Sequence, residues 1–118
     1  MQYQNRLHRN AQFQHVYKRG KSCSCKEIVM LYARSGHLQA GFSVSRKVGN
    51  SVMRNRIRRR LREQFRLLMP QLKTGHYVIV AREASASADS AVLAKSLHTL
   101  AHRLSLLNPT ETVTGKQE

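Results

Sequence analysis

A small α/β (α+β) domain, with helices laid over one sheet, follows from three features of this sequence. Residues 76–81 (His-Tyr-Val-Ile-Val-Ala) form an almost unbroken apolar run of strand length, the pattern of a strand covered on both faces. Residues 38–45 alternate instead, with Ala40, Phe42 and Val44 on one side and Gly41, Ser43 and Ser45 on the other. Residues 51–69 and 89–107 repeat their apolar positions at helical spacing over lengths that few strands reach. With 118 residues and 41% hydrophobic composition, the chain supports one modest core, and a wholly disordered chain is excluded. Residues 1–109 are expected to form this single domain, and the polar, aperiodic residues 110–118 a disordered tail.

In chain order, residues 1–9 are basic and without period, which predicts an extended arm. Asn10 is placed to cap a short helix on which Phe13, Val16 and Tyr17 recur at i, i+3 and i+4, and Gly20 stops it. Ile28 to Ala33 are β-formers followed by Ser35 and Gly36, which predicts a strand and then a hairpin turn into the alternating strand at 38–45. The glycine-and-hydroxyl face of that second strand leaves room for a ligand. Gly49 and Asn50 break the strand, Asn50 or Ser51 caps the next helix, and that helix is expected to run until Met69 meets Pro70. After the strand at 76–81 and a loop of small residues, Ser87 or Asp89 opens a last helix with a stripe of Leu93, Leu97, Leu100, Leu104 and Leu107, ended by Asn108 and Pro109. The order is helix, strands, helix, strand, helix.

Charge narrows the function. Lys plus Arg number 21 against 6 acids, a formal charge of +15, and such a surplus on a small domain favours a polyanionic partner over a neutral small molecule. No run approaches the ~20 apolar residues needed to cross a bilayer, and Met1 to Arg6 lack the apolar stretch of a secretory signal. A soluble, cytoplasmic protein without a membrane partner is therefore expected. Cys23 and Cys25 are too few for a disulfide framework and make only half of a zinc set, so they read as reduced strand residues.

The charge is concentrated on one helix. At ~100° per residue, Met53, Ile57, Leu61, Gln64 and Leu68 form a narrow stripe with Phe65 beside it, and that stripe packs on the sheet. Arg58, Arg62, Asn55, Arg66 and Arg59 project to the opposite third, Arg54 and Arg60 flank the stripe, and Arg56 lies on the far side. From Arg46 to Arg66 there are nine basic residues and one acid, Glu63, so the i, i+4 pairing of an ordinary solvated helix is missing. Eight of the nine are Arg, whose planar fork grips phosphate bidentately and whose face stacks on bases. Asn50 adds an amide at the helix start, where the dipole already favours an anion.

The run from Phe42 to Glu63, Phe-Ser-Val-Ser-Arg-Lys-Val-Gly-Asn-Ser-Val-Met-Arg-Asn-Arg-Ile-Arg-Arg-Arg-Leu-Arg-Glu, resembles the signature of the bacterial ribonuclease P protein subunit, with Arg54, Asn55 and Arg56 as its Arg-Asn-Arg hallmark. Similarity extends to Arg6-Leu7, to Phe13, Val16, Tyr17 and Gly20, to Tyr32 and to the Tyr-Val-Ile-Val strand, covering roughly residues 5–107. The resemblance implies a cofactor protein of a ribozyme: the RNA subunit removes the 5′ leader of precursor tRNA with Mg²⁺ bound mainly by RNA. It implies no catalytic residue, no protein metal site and no organic cofactor in the chain, and no further protein partner. It also implies a left-handed βαβ crossover through the Arg-rich helix, an exception to the usual hand. By carry-over, Phe13, Tyr17, Tyr32, Ser43, Arg54, Asn55, Arg58 and Arg62 line the cleft for the single-stranded leader. Arg46, Lys47, Asn50, Arg56, Arg59 and Arg60 face the RNA subunit. From the residues alone, Phe13 is equally a docking residue for the first helix.

A protein nuclease working with metal ions would need clustered carboxylates, whereas the six acids are scattered singly along the chain. A major-groove DNA reader would place another helix closely before its recognition helix, and here a strand precedes it. A structural ribosomal protein would share the charge and is separated by what the chain co-purifies with. His98 and His102 stand at a metal-compatible i, i+4 spacing, but no Glu between them offers a hydrolytic base, and both fall off the leucine stripe.

Overall fold

The computed structural model describes Leu7 and residues 10–108; the expectations for the rest of the arm, for Pro109 as terminator and for the tail lie outside the described residues. The elements are α1 (Asn10–Arg19), β1 (Lys21–Ser24), β2 (Ile28–Ala33), β3 (Gln39–Val44), α2 (Ser51–Leu68), β4 (His76–Ala81) and α3 (Ser90–Arg103). The four strands form one sheet in the order β1-β2-β4-β3. The mixed α/β class expected from the sequence is the one observed.

The expected hairpin is corrected. β3 does not return along β2; β4 lies between them, antiparallel to β2 (Met30 opposite Ile79) and parallel to β3 (Phe42 opposite Ile79). The reason lies in burial. β4, apolar on both faces, takes the central position where both faces are covered, and the alternating β3 goes to the edge. β3, α2 and β4 thereby form a βαβ unit. The Leu7 N–H donates to the Ala40 carbonyl at 3.0 Å, satisfying part of the β3 edge.

The two faces of the sheet have different covers. Ile28, Met30 and Tyr32 of β2, with Ala40, Val44, Tyr77 and Ile79, join Ile57, Leu61, Phe65 and Leu68 of α2 and Leu93, Leu97 and Leu100 of α3 in the larger core. Leu7, Val16, Ala33 and Val78 form a smaller core on the other face, joined by half-buried Phe13, Leu31 and Val80, and this is where α1 sits. The expected α2 stripe is thus observed, with Phe65 at its centre: its ring stands edge-on to Phe42 (centroids 5.7 Å apart) and to Tyr77 (5.4 Å). Asn50 caps α2, its Oδ1 accepting from the Met53 N–H at 2.9 Å, and Asp89 does the same for α3 through Val92 N–H.

α3 stops earlier than its leucine spacing suggests. Ser105 turns to a left-handed φ of 59°, the Ser105 N–H bonds the His102 carbonyl and the Leu106 N–H bonds the Ala101 carbonyl at 2.8 Å. This Schellman closure satisfies the last carbonyls. It sends Leu106 into the core and lets Leu107 bridge Leu72, so Leu107 is not on the helical stripe. Of the two cysteines expected on a strand, Cys25 falls just past the end and Cys23 lies within β1. Its residues are largely exposed on an edge, and pairing with β2 makes it a strand, with Cys23 opposite Met30. Both cysteines are free and half-buried.

Candidate nucleic-acid interface

The side chains that converge do so where α1 meets the β3 edge and α2. Gly41 has no side chain, and the Phe13 ring occupies its place: a Cβ there would lie 2.3 Å from Phe13 Cζ. Phe13 therefore docks α1 on the sheet and also lines the surface beside it. One turn along α1, Tyr17 is 45% exposed. Phe13, Gln14, Tyr17, Phe42, Ser43 and Arg58 border an open groove of about 380 Å³. A smaller recess of about 170 Å³, lined by Leu7, Phe13, Gly41, Phe42, Arg58 and Arg62, lies beside it. Arg54, Arg58 and Arg62 repeat every four residues along α2 and are all half-buried. The Arg54 Nε donates to the Gly49 carbonyl at 3.2 Å, and Arg58 Nη1 to Asn55 Oδ1 at 2.8 Å, so the cationic wall is held in position.

Tyr32 does not join this group. It is 7% exposed and lies in the larger core, edge-on to Tyr77 with centroids 4.9 Å apart, its Oη donating to the Thr74 carbonyl at 2.5 Å. On β2 the neighbouring Leu31 packs with Phe13 on the α1 side. Tyr32 is thus on the opposite face of the sheet from Phe13, which corrects its expected place in the leader cleft. Burial raises the phenol pKa of Tyr32, partly offset by Arg34, and that of Tyr77 further still.

The second set spreads over the start and outer side of α2. Arg46 and Lys47 are exposed on a 3₁₀ turn, and Arg56 and Arg59 are exposed on the helix. Asn50 is committed to its cap through Oδ1. Arg60 is half-buried, and its Nη1 donates to the Ala88 carbonyl at 3.0 Å, tying α2 to the approach to α3. Arg66 pairs with Glu63, and each strengthens the charged form of the other: the carboxyl pKa falls and the guanidinium pKa rises. This is the one ion pair among the described residues.

The remaining described acids are also engaged or apart. Glu27 accepts from Ser96 Oγ at 3.1 Å and from Cys25 Sγ, Asp89 caps α3, and Glu83 sits in an exposed turn. Among the described residues no three His, Cys, Asp or Glu come together, His98 and His102 being exposed on α3. The described acids thus stand singly, each apart from the others. No helix of the described residues is long and apolar enough to cross a membrane.

The family model for Ribonuclease P matches residues 1–105. The chain belongs to the bacterial ribonuclease P protein family. It is 36% identical over 119 residues to the ribonuclease P protein component of Oceanobacillus iheyensis, covering 98% of each chain. It is 42% identical over 110 residues to that of Caldanaerobacter subterraneus subsp. tengcongensis, covering 90% of this chain and 94% of the relative. The fold matches the Staphylococcus aureus RNase P protein with a TM-score of 0.81 at 29% identity, covering 88% and 98% of the two chains. For the Thermotoga maritima RNase P protein the TM-score is 0.72 at 27% identity, covering 80% and 92%. Members of this family are the protein components of the tRNA-processing endoribonuclease ribonuclease P.

Proposed function

We propose that this chain binds the ribonuclease P RNA subunit and the single-stranded 5′ leader of precursor tRNA in the cytoplasm, and assists RNA-based, Mg²⁺-dependent removal of the leader. The observation that carries the reading is the groove in which Phe13, Tyr17 and Ser43 meet Arg58. A single strand offers unstacked bases, and an aromatic face stacks on them at ~1–3 kcal/mol per base. Arg54, Asn55, Arg58 and Arg62 run beside that platform to take successive phosphates. Arg46, Lys47, Arg56 and Arg59, with Asn50 and Arg60 fixing the helix they stand on, face the RNA subunit. Leader on protein and tRNA body on RNA makes precursor bind better than product, and the cationic surface screens phosphate repulsion so that Mg²⁺ binds the RNA partner at lower concentration.

Reconstitution tests this. The purified chain added to a bacterial ribonuclease P RNA is expected to restore leader removal at a Mg²⁺ concentration where RNA alone is inactive. No gain over RNA alone, or cleavage by the protein without RNA, would overturn the proposal.

A further inference from the structure

An opening larger than the groove on α1 lies at the other end of the sheet, a pocket of about 510 Å³ lined by Arg19, Lys21, Tyr32, Arg34, Lys73 and Ser105. A second recess of about 390 Å³ shares Tyr32, Arg34 and Lys73 with it. Tyr32 pairs with Tyr77 across the sheet, at the level of Ala40, whereas Ser43 of the leader groove is level with Val80 and Val29. The two sites therefore lie towards opposite ends of the strands.

We infer that this pocket is a second contact for RNA, taking the phosphodiester backbone of a strand that the leader groove does not hold. Three observations carry it. Four cationic side chains line the pocket with no carboxylate among its lining residues, so no described acid neutralises them there. The site is built rather than a loose charged surface. Lys21 Nζ donates to the Leu104 carbonyl at 2.7 Å and stands 5.8 Å from the centre of the Tyr32 ring, while the Tyr32 hydroxyl is anchored to Thr74. Lys21 thereby also covers the terminal carbonyl of α3, which would otherwise repel an anion. Ser105, finally, is the single non-glycine described residue at positive φ. Glycine would hold that conformation at lower cost, and the serine supplies a hydroxyl donor in the wall of a cationic pocket.

RNA is favoured over a compact phosphate ligand by the shape: two recesses joined along Arg34 and Lys73 follow a strand with successive phosphates. Cations on an open surface that release counterions from single strands set the salt slope at about 0.7 per phosphate.

The test uses the full chain. Arg34→Gln/Lys73→Gln is compared with a charge-matched control, Lys26→Gln/Lys95→Gln, whose residues are exposed and line neither recess. The probe is an oligouridylate, titrated across salt, with amide NMR shifts of Arg34 and Ser105 followed in parallel. The pocket variant is expected to reduce the salt slope by about 1.4, so that a rise from 50 to 200 mM salt costs it about sevenfold less affinity than the unmodified chain. The control is expected to change the slope by less than half of that, and circular dichroism is expected to match for all three. Equal slopes for pocket and control variants would overturn the inference. Shifts of Ser105 with inorganic phosphate but not with oligouridylate would overturn it in favour of a small-anion site. Tyr17→Ala removes the leader platform and is expected to leave the Ser105 shifts intact, so failure of the leader groove is read separately.

Discussion

Gly41→Ala places a methyl where the Phe13 ring now lies. The added carbon would stand 2.3 Å from Cζ and 2.5 Å from Cε1, whereas ordinary contact begins at 3.4 Å, so the ring must withdraw by about 1.1 Å or rotate away. Strand β3 cannot retreat, because β4 holds it on one side and Leu7 on the other. The strain falls on the seat of α1, and overpacking of this kind costs ~1–3 kcal/mol. In a domain of this size each kcal/mol lowers Tm by about 4–8 °C. Phe13 also walls the groove, so leader affinity is expected to fall as the platform shifts, while affinity for the RNA subunit is retained. A double-mutant cycle isolates the cause: in a Phe13→Ala background the same Gly41→Ala change is expected to be nearly neutral, a coupling of ~1–3 kcal/mol by urea denaturation. Additive effects of the two substitutions would refute the packing argument, whatever happens to binding.

Tyr17→Ala is expected to weaken leader binding by ~1–3 kcal/mol in a fluorescence anisotropy titration with little change in Tm, because the side chain is largely outside the core. Tyr32→Phe, on the other face of the sheet, is expected to leave leader affinity unchanged; a loss comparable to that of Tyr17→Ala would restore Tyr32 to the cleft. The log of the leader affinity is expected to fall against log salt with a slope of about −3.5 if about five cations displace counterions, and a near-flat slope contradicts the electrostatic account. Ser105→Gly relieves the left-handed strain and is expected to raise stability by about 1 kcal/mol, measured by chemical denaturation; a decrease would show that the serine side chain is worth more to the fold than its backbone costs. Burial holds the Tyr77 phenol pKa well above its ordinary value of 10.0, so the folded chain keeps a proton that the unfolded chain releases. That stability is complete below about pH 10 and declines as pH rises beyond it, and Tyr77→Phe is expected to flatten the decline in a pH series of unfolding curves.

Much of this fold is written locally. The α2 stripe, the Asn50 cap and the two-sided burial of β4 each follow from spacing within a few turns or one strand. What spacing does not hold is which strand sits beside which: Ser35-Gly36 suits a hairpin, yet β4, remote in sequence, intervenes because it, like β2 and unlike the alternating β3, is apolar on both faces and suits an interior position. The face taken by Tyr32 is hidden for a related reason, since Ile28 to Ala33 are apolar at both parities and no alternation says which residues meet α1. Arg58 and Arg62 project away from the apolar stripe but are half-buried, because the arm residue Leu7 and the α1 residue Phe13 approach them. Arg60 has its partner, the Ala88 carbonyl, 28 residues on, which no helical projection contains. The end of α3 depends on a serine adopting a conformation that sequence assigns to glycine.

The division of substrate between protein groove and RNA body is tested most directly by the ratio of precursor to mature tRNA affinities, measured with the RNA subunit alone and again with this chain bound. The account predicts a marked preference for precursor only when the protein is present, and its loss with Tyr17→Ala/Arg58→Ala. Equal ratios with and without the protein would contradict it.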